Sequence, residues 1–391
     1  MNVLVLNVGS TTLKYAQLDP VTGIRTAHGL VDRIGQAGGD AADHLSAATR
    51  VLDHLDLSAT LAIGHRVVQG ADEFTRPARV DSEVLTRLAS LDTLAPLHNP
   101  PARAVIEFLH ASEPTANRPA LPQVLVFDTA YFASLPEAAY RYALDRRLAD
   151  DHRIRRYGMH GTSHAWVLER ALQAWPEITS EAAISAGDAP RIISLHLGGG
   201  ASVSASVGGK AVATSMGMTP LEGLVMATRC GDLDPSVPLH LMRAANLNVD
   251  EVDRCLNKQS GLLGLCGDAD MRRVLRRSAA EDGDAMLALE IYIRRLIQYI
   301  GGYIAILGGV DALLFTAGVG ENSAEIRGRV VERLACFGIR LTESKNQRGL
   351  PAEQNCVDVA ADGSDVRVLI VRTDEEHAIA KQTAECVGNV G

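Results

Sequence analysis

The chain has 391 residues, 47% of them hydrophobic but only 4% aromatic, and a formal net charge of −9. That length favours two or three domains with mainly aliphatic cores. The acidic balance excludes a nucleic-acid or anionic-membrane binder working through bulk charge, so any anionic substrate must be held by local Arg and Lys.

In chain order, the opening MNVLVLNVG carries no basic n-region or cleavage pattern, so no signal peptide is expected. Val3 to Asn7 reads as a strand, Gly9-Ser10-Thr11-Thr12 as a tight polar turn, and Leu13 to Leu18 as the returning strand. Leu61 to Val68, Val124 to Thr129, Ala312 to Thr316 and Val366 to Arg372 are further strand candidates. The hairpin layout returns at Ile192 to Leu197, turning at Gly198-Gly199-Gly200 into the alternating ASVSASVGGK. Two such hairpins half a chain apart indicate a duplicated α/β architecture with two sheets. A helix is expected over Asp284 to Leu307, with Leu289, Ile293, Leu296, Ile300 and Tyr303 at helical spacing. The polar stretch Lys345 to Asp365 reads as surface loop with a short strand at Cys356 to Val359. The charged run Leu148 to Arg156 reads as an interdomain crossover. Leu296 to Val310, the longest uncharged apolar run, is too short to span a bilayer. Six cysteines without a C-x-x-C pair fit reduced thiols, and the expectation is a cytoplasmic protein.

Several segments can carry chemistry. NVGSTTLK places Asn7 and Lys14 around a turn whose N–H groups and hydroxyls suit phosphate oxygens, and it is not the Walker-type GxxxxGK[ST] loop. HLGGGAS, from His196 through Gly198, Gly199 and Gly200, offers a similar turn. In FTAGVGENSAEIR, Gly318 and Gly320 permit close backbone approach, and Asn322 with Glu325 reads as a capping box suited to a nucleotide at a helix start. His160 and His164 lie four apart, but Gly161 argues against one helix through both, which disfavours zinc. Arg66 in GHRVV and Asp128 in VFDTA are charged groups at apolar strand ends, where an open sheet places its ligands. Thr373 and Glu376 read as a second capping box, leaving Glu375 free for Mg2+ through water. The Gly- and Pro-bearing stretch Thr214 to Val237 reads as a fixed loop holding Arg229 over an anion. The alternative is a structural pairing of Arg229 with Asp232 or Asp234.

Taken in order, NVGSTTLK, GHRVV, PLHNP, VFDTAYF, RRYGMHGTSH, HLGGGAS, TSMGMTPLEGLVMATRCGDLDP, SGLLGL, FTAGVGEN and RTDEE resemble the acetate kinase family over essentially the whole chain. The resemblance implies duplicated ribonuclease-H-like domains of the actin-like ATPase superfamily. The implied lobes are residues 1–148 with 375–391, whose C-terminal helix returns to the first lobe, and residues 149–374. It implies reversible phosphoryl transfer between ATP and acetate, giving ADP and acetyl phosphate, with Mg2+ or Mn2+ and usually a homodimer. It further implies that Arg66 and Arg229 hold acetate and the phosphoryl group, that Asp128 is the catalytic acid and that His160 contacts the phosphoryl group. Asn7 and Glu375 match positions around the metal, and Lys14, His196 and Gly198 to Gly200 match the phosphate loops. Gly318, Val319, Gly320, Glu321 and Asn322, with Asp270 and Arg272, match the adenosine pocket. Val68, Leu97 and Pro220 match the pocket for the acetate methyl group. A propionate kinase is the close alternative, and an actin- or chaperone-like ATP-binding module the distant one. The chain departs from the family at Gly199, where an amide is usual, at Gln69 and Ala71 around Gly70, and at Met159 before the active-site histidine.

Overall fold

Two six-stranded sheets carry the fold, and they share one topology. The structure, a computed structural model, describes residues 1–114, 119–175 and 189–388. The first sheet contains β1 (Asn2–Val8), β2 (Leu13–Leu18), β3 (Arg25–Val31), β4 (Thr60–Val67), β5 (Ala78–Arg79) and β6 (Gln123–Phe127). Its spatial order is β3-β2-β1-β4-β6-β5. The second contains β7 (Arg191–Leu197), β8 (Ala201–Val207), β9 (Lys210–Thr214), β10 (Ala312–Thr316), β11 (Cys356–Asp358) and β12 (Arg367–Val371), ordered β11-β12-β10-β7-β8-β9. In each sheet an antiparallel three-strand meander (β1-β2-β3, β7-β8-β9) is extended by two parallel strands (β4 and β6, β10 and β12) and an antiparallel edge strand. The duplicated α/β architecture expected from the two hairpins is therefore present strand for strand.

The first sheet shows how the sequence builds this. A strand sends alternate side chains to opposite faces, and β1 is apolar on both. Leu4, Leu6 and Val8 pack with Ala47, Ala48, Val51 and Leu52 of helix His44–Asp53 and with Ala102 and Val105 of helix Asn99–Ala111. Val3 and Val5 pack with Ile379, Ala380 and Ala384 of helix Glu375–Val387. A near-continuous apolar strand is what two covered faces require. Each such Leu or Ile contributes about 1.5–3 kcal/mol of burial.

Contacts divide the chain into two compact units. The first comprises Met1–Ala133, Gly161–Ser163 and the residues from Asp374; the second comprises Ser134–His160 and His164–Thr373. The chain leaves the first unit ahead of the charged run expected as the crossover, and part of that run lies in a helix, Arg146–Asp151, of the second unit. Helix Gly283–Leu307 buries the five expected residues and ends at Gly308, whose φ of 67° suits glycine. Among the described residues no helix is long and apolar enough to cross a membrane.

Three local expectations need correction. The helix after β10 is capped by Ser323, whose hydroxyl accepts from the Ile326 N–H, whereas Asn322 closes the preceding short helix Ala317–Asn322. Helix Glu375–Val387 is capped by Asp374, which accepts from the His377 N–H, and not by Thr373 with Glu376. Asp and Ser sit one residue from each expected cap, and the end of the preceding element decides between neighbours. The polar stretch from Lys345 opens inside helix Glu343–Arg348. The expectation at Gly161 holds: helix Gly161–Gln173 begins there and contains His164, while His160 stands outside it as the left-handed residue before (φ 60°), so no single helix runs through both histidines.

Candidate functional site

In the first unit, Asn7, Arg66 and Asp128 lie at or just beyond the C-terminal ends of the parallel strands β1, β4 and β6. Asn7 pairs with Arg66 in register, and Asp128 follows the β6 strand end at Phe127. Arg66 is forked onto Asp128, Nη2 to Oδ2 at 2.6 Å and Nε to Oδ1 at 3.2 Å, and its Nη1 donates to Asn7 Oδ1 at 3.1 Å. Asp128 is only 1% exposed and also accepts from Thr162 Oγ1. Burial opposes the Arg66 charge, but Asp128 and then Glu375 outweigh it and hold the guanidinium ionised. Planar, bidentate pairing fixes an Arg far better than a single contact. Glu375, first residue of its helix, is half-buried. Burial pushes its carboxyl up, Arg66 pulls it down, and Asp128 pushes it up again. Lys14 pairs in register with Asn7 and also pulls Glu375 down.

Among the described residues no cluster of three or more His, Cys, Asp or Glu is placed to hold a metal. A zinc-type ligand set is thus missing there. Mg2+ asks for less, because it keeps several waters and takes one or two carboxylates. The oxygens of Asn7 and Glu375 fit that donor chemistry, and a carboxylate whose ionisation is opposed by burial is stabilised by a cation beside it.

Val68 is buried directly after β4, while Leu97, in the turn before helix Asn99–Ala111, is 38% exposed. The Gln69–Ala71 departure has a local reason. Gln69 Oε1 accepts from the Ala71 N–H at 2.9 Å, and Asn99 bonds both backbone groups of Gln69, clamping Ala71 at a φ of 54°.

In the second unit, β7 delivers His196 and then turns through Gly198–Gly200, closed by the Gly198 N–H donating to Gly200 O at 3.0 Å. His160 stacks on His196 with ring centroids 4.2 Å apart, and its Nδ1 lies 3.0 Å from Ser202 Oγ. His164 is fully buried between Ser194 Oγ and Ser202 Oγ, each 2.7 Å from a ring nitrogen, and burial keeps it neutral. Both His164 nitrogens are therefore engaged by hydroxyls, which removes the histidine pair as a metal site. A Cβ on Gly200 would stand 3.3 Å from the His160 ring and 3.5 Å from Arg229 Nη1, so the glycine lets the loop approach both groups. At Gly199 a Cβ would meet nothing within 4 Å, leaving room for a side chain.

Residues 215–235, between β9 and helix Ser236–Ala244, form the loop expected over Thr214 to Val237. Arg229 Nη1 donates to Pro220 O at 3.0 Å. Asp232 is taken by Arg295 at 2.9 Å and by the Tyr299 hydroxyl at 2.8 Å, and it caps the Gly223 N–H. Asp234 caps the Ser236 N–H. At the front of the loop, Arg156 Nη1 donates to the carbonyls of Thr214, Ser215 and Met216, and its Nη2 and the Tyr142 hydroxyl both grip Glu222. Arg156, Tyr142, Glu222 and Arg295 escaped the reading of the sequence. Their function is to hold carbonyls and loops, and no spacing rule marks such residues.

A cleft of about 890 Å³ lies wholly within the second unit. Gly198, Gly199, Asp270, Arg272, Gly318, Val319 and Asn322 line it, with Tyr292 and Leu275 as apolar walls. Asp270 caps helix Met271–Ala279 and pairs with Arg272 at 2.7 Å, and hydrogen bonds from Arg272 lower its carboxyl to about 2. Four residues of this unit nominated for the nucleotide do not line the cleft: His196 and Gly200 stand outside its lining, Gly320 packs against Phe315, and Glu321 bonds to its own chain. The volume and the Gly-rich turns suit a nucleotide.

Comparison with known proteins identifies the family. The acetokinase family matches residues 2–381. The acetate kinase of Streptomyces coelicolor is 47% identical over 100% of this chain and 98% of its own length. That of Clavibacter sepedonicus is 44% identical over 99% of each. Among solved structures, a propionate kinase from Francisella tularensis superposes with a TM-score of 0.88 at 35% identity, covering 98% of this chain and 99% of that one. The Porphyromonas gingivalis acetate kinase gives 0.87 at 35% identity, covering 99% of each. With duplicated sheets, strand-end arginine and Gly-lined cleft all in place, the chain belongs to the acetokinase family.

Proposed function

We propose that this protein is an acetate kinase that moves a phosphoryl group reversibly between ATP and acetate by direct in-line transfer. The observation that carries this reading is full-length kinship, at 44–47% identity, with enzymes named acetate kinase. Acetate, with a pKa close to that of a Glu side chain at about 4.3, is ionised at neutral pH and needs no general base. The obstacle is charge: an anion must approach a triphosphate. Arg66 and Arg229 offset that charge. Three hydrogen bonds to Arg66 and Thr162 support Asp128 as the group that orients Arg66. His160, fixed through Nδ1 by Ser202, serves as donor to a phosphoryl oxygen. Asn7 and Glu375 are the residues that would hold Mg2+, which when bound supplies positive charge to the phosphates. The cleft at Gly318 and Asn322 takes the adenosine, with the Gly198–Gly200 turn toward the phosphates.

A second copy completes the assembly. Helix Ser236–Ala244 buries none of its residues although it carries Val237, Leu239 and Met242, an apolar surface that a like chain would cover. The scattered free cysteines fit a reducing cytoplasm.

A propionate kinase is the second reading, favoured by the F. tularensis neighbour. One methylene is worth about 0.8 kcal/mol of burial, so the contacts of Val68, Leu97 and Pro220 decide the preference. Incubating the protein with ATP, Mg2+, hydroxylamine and either acid tests both. Acetohydroxamate is expected, with the higher kcat/KM for acetate. A larger value for propionate selects the second reading, and no hydroxamate from either acid refutes the function.

A further inference from the structure

Glu321 lies beside the nucleotide cleft without lining it, and its carboxylate does something else. Strands β10 and β12 are parallel neighbours, with Phe315 opposite Ile370. At the end of β10 the chain turns at Ala317, a non-glycine residue at a φ of 64°, into helix Ala317–Asn322. At the end of β12 it runs through Thr373 to Glu375. Strand ends and helix starts leave backbone N–H groups that need acceptors. One atom serves both: Glu321 Oε1 accepts from the Ala317 N–H at 2.9 Å, the Thr373 N–H at 3.0 Å and the Thr316 hydroxyl at 3.3 Å. Thr316 makes no side-chain cap of its own, so Glu321 caps the helix it belongs to from the far end. That far end is itself fixed, because the buried Arg327 donates to the carbonyls of Gly320 and Glu321 and to Asn346.

We propose that Glu321 is a positioning residue whose single oxygen registers the nucleotide segment 317–322 against the strand end that leads into Glu375. The chain crosses from the second unit to the first between Thr373 and Asp374. The clamp therefore ties the adenosine segment to the root of the helix that begins with Glu375. This rests on the acetate kinase reading only for the identity of the nucleotide.

Hydrogen exchange on the full-length protein, with and without ADP, tests it. In Glu321→Ala, the amides of Ala317 and Thr373 exchange at least about tenfold faster without any ligand. In the wild type ADP slows exchange at both places; in the variant it slows only 317–322. Acetyl phosphate formation falls at least about tenfold in kcat while KM for ATP moves less than about threefold. Glu321→Gln keeps the acceptor oxygen and restores both readouts, whereas Glu321→Asp keeps the charge, withdraws the oxygen and behaves like Ala. The proposal is overturned if Thr373 keeps its protection in Glu321→Ala, or if Gln fails where Asp succeeds. Failure of the kinase reading looks different: the wild type would then make no acyl phosphate, while the ligand-free exchange rates would still report on the clamp.

Discussion

Arg66 is held by a fork to Asp128 and a third bond to Asn7, which means the guanidinium is set in place before any substrate arrives. Preorganised charge of this kind acts chiefly in the transition state. We expect Arg66→Ala and Arg229→Ala each to lower kcat by about 10²-fold or more, with ATP affinity, measured by calorimetry, little changed. Near-normal turnover in either variant would remove that residue from the mechanism. His65 gives a residue-scale prediction of stability. It is 1% exposed, Nε2 meets Gln123 Oε1 at 2.8 Å, and burial lowers its pKa to about 4. With the folded pKa below the ordinary 6.5, the unfolded chain takes up the proton first as pH falls. The stability is thus complete above pH 6.5 and is lost progressively toward pH 4. Linkage puts the loss by pH 5 at about 2 kcal/mol, and His164 acts in the same direction. Urea titrations at pH 7 and pH 5 should show this difference shrink in His65→Leu; an unchanged difference would assign the acid sensitivity elsewhere.

At the scale of elements, the return of helix Glu375–Val387 to the first sheet depends on a missing side chain. A Cβ on Gly64 of β4 would lie 2.4 Å from Thr383 Oγ1 and 3.0 Å from Ile379 Cγ2. Gly64→Ala should therefore push the helix outward and cost about 1–3 kcal/mol as overpacking does, read as a lowered Tm. Because Glu375 is the first residue of that helix, activity should fall with it; an unchanged Tm would mean the helix has slack. The elements themselves were largely legible: β2 and β10 occupy the expected ranges, and the long helix differs by one residue at its start. The helix caps were not. Asn322, Ser323, Thr373 and Asp374 are all competent caps by residue type, and only the ends of β10, β12 and helix Ala317–Asn322 decide which one faces free N–H groups.

For the whole molecule, the two sheets repeat one strand order although no sequence repeat is visible, because the topology needs only matching hairpins and apolar strands, not matching residues. Asn7 and Arg66 stand in register at the ends of β1 and β4, and His196 and Thr316 stand in register at the equivalent ends of β7 and β10. The exposed apolar helix Ser236–Ala244 leads to the expectation that Leu239→Asp, at a position 49% exposed in the single chain, yields monomers by light scattering. A wild-type protein that is already monomeric would refute the dimer.

The sequence by itself determined the duplicated α/β class, the family and the identity of the charged strand-end residues. Those rest on local spacing and on side chains that burial makes costly without a purpose. Only the tertiary structure decided that Asp128 is engaged by Arg66 and Thr162, and that His164 is locked between two serines. It also decided that Glu321 turns from the cleft to the neighbouring strand end. Each of these depends on which distant backbone or side-chain donor stands within about 3 Å, a distance that chain order does not encode.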